Sequence, residues 1–164
     1  MTVCIIWHAY TQNSVLADGR WYKVGITASG VHKIDRSTLD ALGIGEINDP
    51  SQIQIFGNAV QGILPQANAE ERPIDLIENP ISVVGEEDGS FDASDYILFY
   101  GLGPHKHEWS ASGFEFSNNI YSDTAYYFLR LGVTSGKRIE SQQSLTVTPT
   151  ITTSSFDDLS LIHI

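Results

Sequence analysis

Asp95-Tyr96-Ile97-Leu98-Phe99-Tyr100-Gly101 is the stretch that decides the fold class. Five consecutive apolar or aromatic residues lie between an acid and a glycine. An unbroken run of this length predicts a central strand covered on both faces. Tyr126–Leu131 reads as a second strand of the same kind. Outward from these two, turn signals recur about every ten residues, with short β-rich runs between them, which is the spacing of a mainly β domain.

Upstream, Asp18-Gly19 stands between Ser14–Ala17 and Trp21–Ile26. Asp-Gly supplies the positive φ values of a tight turn, so the pair predicts a hairpin. Tyr22, Val24 and Ile26 alternate with Trp21, Lys23 and Gly25, as in a strand with one buried face. Gly30 opens another strand, Val31 to Ile34. One short helix is expected over Arg36–Leu42, with Asp35 as its cap and Gly43 ending it. Leu39 and Leu42 share a face of that helix, which is too short to hold alone in water and must lie on the sheet. Asp49-Pro50 starts a turn, and Gln52–Gly57 reads as a strand with Ile53 and Ile55 on one side. Gln61 to Glu78, with Pro65 and Pro73, reads as a surface loop, and Pro80 precedes a short strand, Ile81–Val84. Gly101–Thr124 reads as a long loop bearing aromatic residues, uncommon unless it has a task or its own order. The expected fold is therefore an antiparallel β-sandwich-like or open-barrel domain with one short helix. Residues 14–135 form the β-rich domain, 1–13 are an unplaced N-terminal segment, and 136–164 are a Ser/Thr-rich strand or linker.

The chain has 164 residues, enough for one domain, and 41% are hydrophobic, enough for a packed core, which excludes general disorder. Nine Lys+Arg against 20 Asp+Glu give a net charge of −11. Nucleic acids and anionic membrane surfaces need basic patches, and the closest approach to one is the pair Lys137-Arg138. No apolar run reaches the roughly 20 residues of a bilayer-spanning helix. The apolar start, Val3 to Trp7, has no basic region before it and no small-residue cleavage site, so it reads as a strand rather than a signal peptide. A single cysteine, Cys4, allows neither an internal disulfide nor a Cys-rich zinc site.

Each candidate site has a bland reading beside the chemical one. Cys4 and His8 are a thiol–imidazole pair, but in an extended chain residues four apart lie roughly 13 Å from each other. His105 and His107 on a strand would point the same way and share a metal. No third ligand is evident, and Lys106 opposes a cation, which favours a solvated loop. Glu86, Glu87, Asp88, Asp92 and Asp95, with Gly85 and Gly89 for turns, make calcium possible without matching the helix–loop–helix calcium motif. The alternative is an acidic turn between strands. Gly101-Leu102-Gly103-Pro104 follows a strand, yet a phosphate cradle needs a helix N-terminus next, and none is predicted. Trp109, Phe114, Phe116 and Tyr121 either cap the sandwich or form an exposed platform for sugar rings or a partner peptide, and capping is the favoured reading. No catalytic or cofactor-binding residue emerges.

Several blocks together carry a resemblance. They are SVLADGRWYKVGI (14–26), GVHKIDRSTLDALGI (30–44), DPSQIQIFGN (49–58), GILP (62–65), VVGEEDGSFDASDYILFYGLGP (83–104), NIYSDTAYYFLRLG (119–132) and GKRI (136–139). In order and spacing they resemble the N-terminal, pre-catalytic region of PorU-type sortases of the type IX secretion system of Bacteroidota, over most of Ser14–Asp158. The block from Val83 to Pro104 is the most specific. The resemblance implies a parent similar to gingipain-type cysteine peptidases, held at the cell surface and outer membrane by partners from the secretion machinery. Such a parent removes C-terminal sorting domains from cargo and attaches the cargo to lipopolysaccharide. Its catalytic domain lies downstream of this region, so the chain is expected to be a non-catalytic fragment of a truncated reading frame. Its expected partners are the downstream peptidase domain and outer-membrane secretion components. Cys4 lies outside the matched blocks and inherits no role. The other class of reading is a free-standing adhesin or glycan-binding module.

Overall fold

The computed structural model describes residues 14–58, 60–63, 73–111, 113–132 and 134–143. Nine strands and one α-helix are found among them. Strands β1 (Trp21–Ile26) and β2 (Gly30–Asp35) come first, followed by helix α1 (Arg36–Ala41). Next are β3 (Ile53–Phe56), β4 (Glu78–Asn79), β5 (Ile81–Val84) and β6 (Tyr96–Gly101). The last three are β7 (Lys106–Ser110), β8 (Gly113–Ser117) and β9 (Ala125–Leu131). Three antiparallel sheets result, ordered β1-β9-β3-β4, β2-β6-β5 and β7-β8. Among the described residues the architecture is mainly β and antiparallel, with one short helix and no closed barrel.

The two larger sheets share one core. Ile26, Ile53, Ile55, Tyr127 and Leu129 come from the first, and Ile34, Ile81, Val83, Ile97 and Phe99 from the second. Leu39 of α1 is fully buried in the same cluster, and Leu42 is half-buried against it. Asp35 caps α1 by accepting from the Thr38 N–H at 3.0 Å, and Gly43 takes the left-handed conformation (φ 75°) just beyond it. Both features follow from local chemistry, because a short acidic side chain satisfies an orphan donor and glycine tolerates positive φ.

Three expectations are corrected. Ser14–Ala17 is not the first arm of a hairpin. Val15–Ala17 is a 3₁₀ turn whose first residues are held by the Ser14 hydroxyl and by Asp75, which accepts from Ser14 Oγ and the Val15 N–H. Gly19 does adopt φ 89°, but β1 finds its partner in the distant strand β9, from Trp21↔Arg130 to Ile26↔Ala125. Second, β6 is central in its sheet, between β2 and β5, but is buried on one face only. Ile97 and Phe99 enter the core while Tyr100 is 58% exposed, because an antiparallel sheet of this kind needs only one dry face. Strand β9 behaves alike, with Tyr127 and Leu129 buried and Tyr126 exposed. Third, the segment after Gly101 is not a loop. It contains the β7–β8 hairpin, whose strands pair over five residues each.

Residues 1–13, with the strand expected at Val3–Trp7, lie outside the described residues, as do 64–72 and the 144–164 tail with Leu145, Val147 and Ile151. Residues 136–139 are bonded to the domain. The Gly136 N–H donates to the Ser51 carbonyl, and Ile81 exchanges main-chain bonds with Lys137 and Ile139.

Candidate interaction surface

The β7–β8 ribbon carries the aromatic residues that the sequence reading singled out. Its register pairs His107 with Phe116 and Trp109 with Phe114, so alternation puts all four side chains on one face. The His107 ring lies 4.9 Å from Phe116 and 5.6 Å from Phe114, with interplanar angles of 55° and 39°. Trp109 is 80% exposed, and Phe114 and Phe116 are each at least half exposed. Tyr121, beyond β8, is also exposed. These residues do not cap the sandwich, and the favoured sequence reading is overturned. The reason is topological: among the described residues the ribbon pairs only with itself, so neither face is drawn onto the core.

The opposite face of the ribbon is polar and internally paired. Lys106 Nζ lies 2.7 Å from Glu108 Oε2, and the Ser110 hydroxyl donates to Glu115 at 2.7 Å. The root is anchored on the sandwich. Gln61 Nε2 donates to the Gly103 and His105 carbonyls and to Ser29 Oγ, and the Gly62 N–H donates to the Pro104 carbonyl. His105 Nδ1 accepts from the Asn119 N–H at 3.3 Å, which binds the return of the chain to the root. A cavity of about 230 Å³ opens beside it, lined by Thr27, Ala28, Ser29, Gly103, His105 and His107.

The remaining candidates are dispersed or committed elsewhere. His105 and His107 share that cavity, but His105 Nδ1 is already occupied by a main-chain donor. Three carboxylates of the acidic turn, those of Glu86, Asp88 and Asp95, have separate partners. Glu86 takes Arg138 at 2.8 Å, and Asp88 accepts from Ser90. Asp95 is buried and accepts from the Asp92 N–H. The Ser90 N–H and hydroxyl hold the Asp88 carboxyl below its ordinary range. Among the described residues, no group of three or more His, Cys, Asp or Glu is positioned to hold a metal ion.

Gly101–Pro104 leads into β7 rather than a helix, and its donors are already used. The Leu102 N–H bonds the Tyr127 hydroxyl and the Gly103 N–H bonds Ser29 Oγ. Gly103 is required for packing, because a Cβ there would lie 2.6 Å from the Ala28 carbonyl carbon. Cys4 and His8 lie outside the described residues. No helix of the described residues is long and apolar enough to cross a membrane.

No family model matches the chain, and no curated protein matches it. Among solved structures it is similar to dimeric latent PorU from Porphyromonas gingivalis, with a TM-score of 0.57 and 26% identity. The match covers 79% of this chain and 11% of that one, so the chain spans a small part of the length of the protein it resembles. The described domain is thus similar in fold to a segment of PorU.

Proposed function

We propose that this chain is a non-catalytic β domain of a PorU-like sortase of the type IX secretion system. In this reading it acts at the cell surface as a support for a peptidase domain encoded further along the same frame. The observation that carries the reading is the likeness to a PorU segment at 26% identity over 79% of the chain. The domain's own chemistry supports it. Asp35 serves as a helix cap, Glu86 pairs with Arg138, and Trp109, Phe114 and Phe116 form an exposed aromatic surface suited to contact with another protein unit. The test is to sequence the coding DNA beyond Ile164. A gingipain-type peptidase domain in frame is expected, and a stop codon in clean sequence directly after that residue would sink the proposal.

The exposure of Trp109 favours a second reading, a surface glycan-binding module. A glycan array probed with this chain and with Trp109→Ala separates the two, since only the module loses defined binding on substitution.

A further inference from the structure

The β7–β8 ribbon is unfinished by the standards of sheet structure. A two-stranded ribbon is marginal by itself and gains stability from a third strand or a packed face. Here, among the described residues, the aromatic face is covered only at its root, where the His105 ring lies 5.9 Å from Phe116, and Trp109, Phe114 and Phe116 stand at least half exposed. The main chain is open as well. Ser110 pairs with Gly113 across two intervening residues, and in hairpins that short the closing pair is the hydrogen-bonded one. Antiparallel pairs alternate, so the groups of Glu108↔Glu115 point inward while those of His107, Trp109, Phe114 and Phe116 point to the outer edges. None of these four residues makes a main-chain bond to another element among the described residues. The uncovered aromatic side chains and the open backbone groups therefore belong to the same residues.

We infer that the ribbon accepts an extended strand from a partner polypeptide, completing the sheet by main-chain pairing. The incoming strand alternates. Its apolar side chains lie on the aromatic row, and its basic side chains lie over the polar face, where among the described residues of the ribbon two carboxylates, Glu108 and Glu115, stand with one ammonium, Lys106. Charge argues for this partner over a second copy, because each copy carries −11 and would bring like-charged polar faces together. The inference does not depend on the sortase reading.

The test uses the full 164-residue chain. The probe is a short blocked peptide of alternating lysine and valine, compared with its glutamate–valine counterpart. A third version is N-methylated at every second residue, which keeps the side chains and removes one edge of donors. Binding is read by titration and by hydrogen exchange of the ribbon amides. The lysine peptide is expected to bind and to protect amides at 107 and 109 or at 114 and 116. N-methylation is expected to weaken it about tenfold or more, since several main-chain bonds are lost. Phe114→Ser and Trp109→Ser should weaken it too, with the urea midpoint of the domain unchanged. Failure of the lysine peptide to bind would overturn the inference, as would binding indifferent to N-methylation. So would self-association in sedimentation that Phe114→Ser abolishes, or glycan binding through Trp109 with no peptide binding.

Discussion

Phe99 lies at the middle of the core with its ring 5.5 Å from His32 and 5.2 Å from Tyr127, and it is only 1% exposed. Phe99→Ala removes that packing and is expected to cost about 3–5 kcal/mol, read from the urea midpoint. Phe99→Asp buries a carboxylate without a partner and is expected to abolish cooperative unfolding and the near-ultraviolet circular dichroism. Asp35 shows a different kind of control. The Ser37 hydroxyl, then the Thr38 N–H and hydroxyl, hold its carboxyl down to about 2. A carboxyl depressed in the folded state stabilises above its unfolded value, near 3.9, and that contribution is lost as pH falls through its folded value. The stability attributable to Asp35 should therefore fade between about pH 4 and pH 2. Asp35→Ala is expected to be less stable at pH 7 and to lose less on acidification. Asp35→Asn keeps an acceptor for the cap and should be closer to the original at pH 7. Urea unfolding at both ends of that range measures each.

At the scale of elements, Arg138 joins three parts of the chain that strand pairing alone leaves separate. Its guanidinium donates to both oxygens of Glu86 in the turn after β5. It also donates to the carbonyls of Pro50, Ser51 and Ile53 at the entry to β3. The segment around it is itself bonded to Ile81, closing one end of the β5 edge. Arg138→Met keeps much of the stem and removes the donors, leaving Glu86 and the partly buried carbonyls unpaired. It is expected to cost about 2–4 kcal/mol in urea unfolding. Lysine in its place should recover little, because a single ammonium cannot reach a carboxylate and three carbonyls in a planar fork.

For the whole molecule, one hydrophobic cluster spans both large sheets and the helix. Folding of the sandwich is therefore expected to be all-or-none, with far- and near-ultraviolet circular dichroism giving the same urea midpoint. Two separate midpoints would show that the sheets fold as independent units. The ribbon sits outside this cluster, so its amides should exchange at lower protection than those of β6 and β9.

The strands, the capped helix and the class of fold were legible in local patterns such as Ile53/Ile55, Tyr22/Val24/Ile26 and Asp35…Gly43, because alternation, capping and positive φ are properties of neighbouring residues. The long aromatic segment was harder to read, since its His107, Trp109, Phe114 and Phe116 satisfy the pattern of a capping loop as well as that of an exposed ribbon. The sequence by itself determined that the protein is a mainly β, acidic domain, and its blocks pointed to PorU-type sortases. Tertiary structure alone decided that β1 pairs with β9, that β6 has a wet face, that Glu86 serves Arg138, and that the aromatic row faces solvent. Those outcomes depend on which distant segments meet, and a residue's hydropathy states its preference for burial without naming the surface that will bury it.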